Sequence, residues 1–324
     1  MNELTVISGP SLPAIMAAAD ERARFRFLEF FAAQIRNPHT RRAYVGDVSE
    51  FMAWCFDRGV RELGQITPFH VAGYVELTGK THSAPTVKRS LSAIRRLLDW
   101  LVTGQVIPQN PATSVRAPRY SQRRGKTPIL GADEARELLD VIDISTLIGM
   151  RDRALLATML FTFGRVGAVT AMTVRDAFVR ERRLWVRLYE KGGKVHEMPC
   201  NHKLEEYIYA WLEVSGLKNE FDAPLFPTIK KGTAANGAPG TLTRQHMDQK
   251  DAYRRVRKHG LAAAIASAVG NHSLRGTGIT TYLQNGGDLE KAQDMANHAS
   301  ISTTQLYDRR SDDVMLSDVE LVRI

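Results

Sequence analysis

Cysteine is scarce in this chain of 324 residues, which contains only Cys55 and Cys200. The two lie far apart and in apolar or mixed surroundings, so they indicate neither a disulfide framework nor a thiolate zinc site. A weaker hypothesis is a zinc site made by His196, Cys200 and His202, although no fourth ligand stands at the usual spacing. We therefore expect no metal, and a reducing cytoplasm suits the chain.

Long hydrophobic runs are also missing. No segment approaches the ~20 apolar residues that a membrane span requires. The N-terminal residues hold no basic stretch of the kind that begins a secretory signal. These absences predict a soluble, cytoplasmic protein with no membrane partner. A hydrophobic content of 44% is nevertheless enough for sizeable cores, and the length favours two domains.

Acidic residues are few in the first part of the chain. Residues 1–125 carry 17 Lys and Arg against 10 Asp and Glu, whereas the remainder carries 27 against 25, within a net charge of +9. A basic surplus confined to one part of a protein indicates that this part holds a polyanion, and we expect DNA or RNA. The alternative is a merely soluble basic surface.

The first part has a helical pattern. Two helices are predicted within residues 23–58, separated by a turn at Asn37, Pro38 and His39, with Thr40 marking the start of the second. Further helices are predicted over residues 68–77 and 85–102. The last places an apolar stripe on one face, formed by Val87, Leu91, Ile94, Leu98 and Leu101. Its basic residues, predicted to face DNA, are Lys88, Arg89, Arg95 and Arg96.

Residues 115–128 contain no acid, and two prolines and a glycine oppose regular structure there. Their basic side chains are Arg116, Arg119, Arg123, Arg124 and Lys126. We interpret the segment as a linker between domains that lies along a phosphate backbone. The predicted organisation is an extension (1–22), a helical DNA-binding domain (23–114), the linker (115–128), a second domain (129–310) and a tail helix (311–324).

The second domain mixes two patterns. Helical periodicity begins near Gly131, and residues 182–199 contain two short β-like runs joined by a turn of Lys191, Gly192, Gly193 and Lys194. Helices resume from Lys203, interrupted by a loop at residues 228–243. The predicted fold class is mainly α with a small antiparallel β-sheet, arranged as a two-domain DNA clamp.

Six residues of this part have the side chains that phosphoryl transfer without a metal requires: Arg165, Lys191, His272, Arg275, His298 and Tyr307. Two guanidinium groups can hold the non-bridging oxygens of a phosphodiester as negative charge builds. A phenol is a poor nucleophile at its ordinary pKa, so histidines must take or orient its proton. An ammonium group can protonate the leaving 5′-oxygen, and Lys194 is an alternative to Lys191 in this role.

The order and spacing of these residues resemble those of the tyrosine recombinase (phage integrase) family. The family places an arginine after an apolar helix with glycine, which matches Arg165. It places an H-x-x-R pair, a histidine about two dozen residues later and a tyrosine nine residues beyond that. His272, Arg275, His298 and Tyr307 fit this order, and the family's hairpin lysine falls on Lys191. The resemblance covers residues 23–310.

The resemblance implies a simple Xer- or Cre-like clamp around double-stranded DNA that carries short inverted-repeat core sites. It implies a covalent 3′-phosphotyrosine intermediate and strand exchange through a Holliday junction in a homotetramer, with neither metal nor ATP. A partner recombinase or an accessory protein is possible. We expect a nucleoid-associated enzyme that serves a mobile element. Tyr307, flanked by small residues, is expected to be mobile, and the tail is expected to dock on a neighbouring protomer.

The sequence departs from the family at two positions. Ala168 stands where an acid commonly follows the first arginine by three residues, and Gly276 stands where a histidine often follows the second arginine. Two alternatives therefore stay open: a type IB topoisomerase, which nicks and reseals without pairing two sites, and a catalytically impaired DNA-binding protein of the same fold.

Overall fold

A computed structural model describes residues 12–120, 125–190, 193–230 and 240–309. The chain forms two compact units, one up to Ser121 and one from Gln122. This division falls inside the segment predicted as a linker, and the other domain boundaries stay predictions. The predicted site residues Lys191, Arg123 and Arg124, and the tail 311–324, lie outside the described residues.

All regular secondary structure described in the first unit is helical. An apolar core unites its helices, and all five residues of the predicted apolar stripe are buried in the unit. Its helices are α1 (Ala14–Ala17), α2 (Glu21–Glu29), a π-helical turn (Phe30–Gln34), α3 (Pro38–Asp57), a 3₁₀ turn (Leu63–Gln65), α4 (Pro68–Thr81) and α5 (Ala84–Thr103). Helix α4, predicted over residues 68–77, thus extends four residues further, to Thr81.

The start of α3 corrects the sequence prediction. Asn37, not Thr40, is the N-cap, because its side-chain oxygen accepts hydrogen bonds from the backbone N–H groups of His39 (3.0 Å) and Thr40 (3.1 Å). Pro38 then occupies the first helical position, where its missing N–H costs nothing. The predicted turn residues therefore belong to the helix start.

Two of the four basic residues on α5 have structural partners. Arg89 forms a bidentate ion pair with the buried Asp47, with both N···O distances 2.9 Å. The Arg95 guanidinium donates to the backbone carbonyls of Ala112 (3.0 Å) and Val115. These two side chains join α5 to α3 and to the segment that follows α5, and their contact with DNA stays a prediction.

The second unit combines helices with two small sheets. Its helices are α6 (Ala132–Asp140), α7 (Leu147–Phe161), α8 (Val166–Thr170), a 3₁₀ turn (Val174–Asp176), α9 (His202–Ser215), α10 (Gln249–Ala262), α11 (Asn271–Gln284), α12 (Leu289–Met295) and α13 (Ile301–Gln305). Its strands are β1 (Ala177–Arg180), β2 (Arg183–Tyr189), β3 (Val195–Pro199), β4 (Pro227–Lys230) and β5 (Thr241–His246).

The sheets extend the sequence prediction. The predicted hairpin is present as β2 and β3, which pair antiparallel from Trp185 opposite Pro199 to Tyr189 opposite Val195. Two features are absent from the sequence prediction: β1, which pairs antiparallel with β2, and the separate antiparallel pair β4–β5, whose strands overlap the two ends of the predicted loop. The fold class of a mainly helical protein with small antiparallel sheets is confirmed.

Helix α7 forms the centre of the second unit, and α11 packs directly on it. A Cβ atom at Gly278 would lie 2.1 Å from the carbonyl oxygen of Leu160, so only glycine allows this approach. The contact holds α11 beside the end of α7, from which the chain turns into Arg165. No helix in the described part of the chain combines the length and hydropathy needed to cross a bilayer.

Candidate active site

Arg165 lies at a tight turn between α7 and α8. Phe163 adopts a left-handed backbone (φ 53°) and is buried, and Arg165 is the N-cap residue of α8. At Gly164 a Cβ atom would lie 2.6 Å from Val169 Cγ2 and 2.9 Å from Thr162 Oγ1, so the turn requires glycine. The glycine and the buried phenylalanine thus fix the backbone from which the half-buried Arg165 side chain extends.

Arg275 connects three segments of the site. It lies on α11 with its side chain 3% exposed, and its guanidinium donates to the backbone carbonyls of Phe163 and Ala296. One carbonyl precedes Arg165 and the other precedes His298 by two residues. Burial, followed by the charge of Arg165, lowers the pKa of Arg275 to about 10. A single side chain therefore fixes the relative positions of two loops that carry predicted site residues.

Two predicted histidines lie near the arginines. His272 is exposed on the first turn of α11, and desolvation together with Arg275 and Arg165 lowers its pKa. His298 is buried, and its Nδ1 lies 2.9 Å from Thr304 Oγ1. Burial, then Arg275 and Arg165, lowers the pKa of His298 to about 4. His298 is therefore neutral at pH 7.

Tyr307 follows α13 and packs beside His298. The two rings are stacked, with centroids 6.0 Å apart and planes at 14°. Tyr307 is close enough to Arg165 and Arg275 to interact with both electrostatically. Its ring also packs against a small apolar cluster that includes Phe163. The structure thus brings together five of the six predicted residues: Arg165, His272, Arg275, His298 and Tyr307.

The backbone around Tyr307 is held at several points. Thr280 Oγ1 donates to the Tyr307 carbonyl (2.7 Å), the Gly125 N–H donates to the Leu306 carbonyl (2.8 Å), and Arg309 donates to the Gly125 carbonyl (2.7 Å). The small residues before Tyr307 also have structural roles, since Thr304 is fully buried and bonded to His298. These bonds hold the segment in the structure, and the expected mobility of Tyr307 stays a prediction.

Gly276, one of the two departures from the family pattern, leaves space for the Tyr307 ring. A Cβ atom at Gly276 would lie 3.0 Å from Tyr307 Cε1 and 2.5 Å from Ile129 Cδ1. A histidine at this position would therefore displace the ring. Ala168, the other departure, is buried in the core of the unit.

Sequence reasoning missed a carboxylate in the site. Glu190, which follows β2, forms an ion pair with Arg165, and its Oε1 lies 4.0 Å from Arg275 Nη1. The strand pattern of the sequence indicates this acid. Inward-facing residues alternate there with more exposed ones, and the inward-facing residues are Leu184, Val186, Leu188 and Glu190. An acid in the inward register of a strand requires a cationic partner.

The hairpin turn is described only in part. Lys191 and Gly192 lie outside the described residues, whereas Gly193 has a φ of 77° and Lys194 is exposed. The Glu190 N–H donates to the Lys194 carbonyl (2.8 Å), which closes the hairpin beside the arginines. The turn is thereby anchored next to the site.

The remaining residues predicted to bind DNA are on the surface. Exposed side chains belong to Lys88, Arg96, Arg116, Arg119 and Lys126. The Arg96 guanidinium lies 6.0 Å from the ring centroid of the buried Tyr44, and the contact of all five with DNA stays a prediction.

The zinc hypothesis finds no support in the described part of the chain, where no three His, Cys, Asp or Glu residues cluster as metal ligands. Burial raises the pKa of Cys200 to about 12, which keeps it a thiol. His202 instead contacts the Arg183 guanidinium, with Nδ1 3.0 Å from Nη1.

Family models match both parts of the chain. The model of the phage integrase family matches residues 128–313, and that of the phage integrase N-terminal SAM-like domain matches residues 26–105. The chain belongs to the phage integrase family of tyrosine recombinases. It is accordingly a site-specific DNA recombinase, an enzyme that cleaves and rejoins DNA.

Curated relatives resemble this recombinase over most of their length. Tyrosine recombinase XerC of Mycobacterium sp. (strain KMS) is 31% identical, over 84% of this chain and 88% of the relative. Tyrosine recombinase XerC of Myxococcus xanthus is 27% identical, over 86% of this chain and 91% of the relative.

Solved structures share the fold at low sequence identity. The XerH site-specific recombinase bound to its difH substrate has a TM-score of 0.66 at 16% identity, over 94% of this chain and 95% of that one. A lambda integrase tetramer bound to a Holliday junction has a TM-score of 0.64 at 18% identity, over 90% of this chain and 78% of that one.

The buried His298 predicts how the stability of the recombinase depends on pH. The unfolded imidazole binds a proton near pH 6.5, whereas the folded one does so only near pH 4. Between these values the unfolded state binds more protons than the folded state, so the free energy of unfolding rises with pH. The stabilising contribution of the neutral His298 is therefore fully present above about pH 6.5 and is lost as the pH falls towards 4. Its size is up to about 3 kcal/mol.

We therefore expect His298→Gln to flatten the acid side of the stability profile, measured by urea unfolding at a series of pH values. His202→Gln, which replaces an exposed histidine, is the matched control and should keep the parent profile. Identical profiles for the parent and His298→Gln would contradict the assigned pKa.

Proposed function

We propose that the five clustered residues and Lys191 carry out DNA cleavage through a phosphotyrosine. The observation that supports this most is the position of Arg275, whose buried guanidinium joins the loops of Arg165 and His298 while Tyr307 packs beside them. Two arginines near one phenol form a site for a phosphodiester. Arg165 and Arg275 hold its non-bridging oxygens.

The reaction follows from this arrangement. The Tyr307 oxygen attacks phosphorus, the bond from phosphorus to the 5′-oxygen breaks, and the products are a 3′-phosphotyrosine and a free 5′-hydroxyl. The phenolic proton goes to one of the two histidines, His272 or His298, and the lowered pKa of each keeps its imidazole neutral before the transfer. Attack by a 5′-hydroxyl from another strand reverses the step and joins the new pair. The chain's residues suffice for this scheme, with neither metal nor ATP as a reactant.

Lys191 is the proposed general acid for the leaving 5′-oxygen. An expelled alkoxide is strongly basic and requires a proton, whereas a 5′-sulfur leaves as a thiolate of much lower pKa and requires none. We expect Lys191→Ala to cleave normal DNA about tenfold more slowly or worse, yet to cleave a 5′-thio substrate nearly as fast as the parent. Lys194→Ala is the matched control from the same turn. An equal deficit on the sulfur substrate would assign the acid to another residue.

The proposed partner is double-stranded DNA with short inverted-repeat core sites, bound by a homotetramer. The structural likeness to a lambda integrase tetramer on a Holliday junction supports this at the level of fold. The exposed basic residues of α5 and of residues 115–128 supply phosphate contacts in this proposal. The mobile-element role stays a prediction, and inverted repeats in the DNA beside the gene would support it.

A strand-exchange assay tests the proposed function. Two labelled duplexes that carry the inverted repeats found beside the gene are incubated with the protein, and a supercoiled plasmid with one site is examined in parallel. Exchange between the duplexes is expected. Relaxation without exchange would instead indicate a topoisomerase, and binding without either product would indicate a catalytically impaired protein.

A further inference from the structure

Glu190 is a buried acid between the two arginines of the site. It follows the last residue of β2, and its N–H closes the hairpin onto Lys194. Its side chain is 2% exposed, whereas that of its ion-pair partner Arg165 is 37% exposed. The carboxylate therefore lies on the protein side of the Arg165 guanidinium and leaves the solvent side open to an incoming phosphate.

The ion pair between Glu190 and Arg165 stabilises the buried carboxylate and restricts the arginine side chain. A buried carboxylate is costly without a cationic partner, and Arg165 is the nearest cation that the described residues provide. Arg165 is a long side chain on a loop, with rotamer freedom that the ion pair restricts. Burial, and then the charge of Arg165, lowers the pKa of Arg275, so the two arginines repel each other, and a negative charge between them reduces that repulsion.

We propose that Glu190 is a positioning residue for DNA cleavage, which orients Arg165 towards one non-bridging oxygen of the scissile phosphate. The proposal rests on the proposed function, in which Arg165 binds that phosphate. The backbone N–H of Glu190 also donates to the Lys194 carbonyl and so closes the hairpin, whereas the carboxylate acts on Arg165. Such an oriented donor stabilises the transition state without reorganising during the reaction.

The test compares Glu190→Gln with Glu197→Gln in single-turnover formation of the covalent adduct. Glu197 is the matched control, because it lies on the same hairpin and pairs with Arg180 (2.6 Å) and Arg187 (2.7 Å). We expect Glu190→Gln to slow adduct formation about ten- to hundredfold, and Glu197→Gln to keep the parent rate. DNA affinity should be retained or rise in Glu190→Gln, because a negative charge beside the phosphate site is removed.

A sulfur substitution at the scissile phosphate separates positioning from mere support of the fold. Replacing one non-bridging oxygen by sulfur gives two diastereomeric substrates, which differ in the oxygen that is replaced. Because an oriented Arg165 bonds only one of these two positions, the two substrates are cleaved at rates in a characteristic ratio. Glu190→Gln should shift this ratio, whereas a variant with only weakened folding would be slow on both substrates in the parent ratio. Glu190→Asp, which keeps the charge, should have an intermediate rate and provides a second folded variant.

Three outcomes would overturn the proposal: a parental rate in both Glu190 variants, an unchanged diastereomer ratio, or an equal deficit in Glu197→Gln. A parent protein that forms no adduct at Tyr307 would instead refute the proposed function, so the two failures are distinguishable.

Discussion

Tyr307→Phe should form no covalent adduct with a nicked suicide duplex, in which the cleaved end diffuses away and traps the intermediate. The variant lacks only the phenolic oxygen that would bond to phosphorus. The ring, its stacking on His298 and its packing against the cluster that includes Phe163 are retained. Denaturing gel electrophoresis of labelled DNA measures the adduct, and binding of the intact duplex should match that of the parent.

Tyr282→Phe is the matched control for this experiment. Tyr282 packs against the same apolar cluster, with its ring edge-on to Phe163 at a centroid distance of 6.2 Å. It should form the adduct at the parent rate. An adduct in Tyr307→Phe would show that another residue is the nucleophile.

Arg275→Lys should lose both activity and stability. An ammonium group cannot bond the Phe163 and Ala296 carbonyls as a planar fork and also face a phosphate. We expect adduct formation to fall by about two to three orders of magnitude, the usual loss when one transition-state donor is removed. A carbonyl left buried and unpaired costs a further ~1–3 kcal/mol of unfolding free energy.

Arg151→Lys separates these two effects. Arg151 is also a buried arginine in the second unit, with Nη1 3.0 Å from the Pro227 carbonyl, but it pairs with Asp152 instead of any site residue. This variant should lose stability and, at temperatures where it stays folded, cleave DNA at the parent rate. Equal losses of cleavage in both variants would show that Arg275 acts through the fold alone.

Local patterns predicted much of the fold because helix periodicity is a short-range property. The buried stripe of α5 and the β2–β3 hairpin were both expected. The structural partners of Arg89 and Arg95 were not predicted, because a helix pattern does not reveal partners far along the chain. A signal was present in α3, where Asp47 stands one turn from Tyr44 and Phe51 on the buried face, a position in which an acid requires a cation.

The candidate site was predicted residue by residue through a resemblance, because its members are up to 142 residues apart in the chain, from Arg165 to Tyr307. Their assembly depends on backbone contacts that no side-chain motif records. The guanidinium of Arg275 bonds backbone carbonyl groups, which every residue has. Gly278 allows the close approach of α11 to α7 because it has no side chain. Glu190 was missed although its inward register was a signal, because a strand pattern does not identify the cation that lies opposite the acid.

The paired bonds between Gly125 and the segment of Leu306 and Arg309 have a practical consequence for protein engineering. A fusion point or an inserted tag is usually placed in a segment of irregular structure, and the region before α6 would be an obvious choice. Residue 125, however, is bonded through its N–H and its carbonyl to the chain on both sides of Tyr307. An insertion there would disturb the reactive centre, although 182 positions separate the two residues in the sequence.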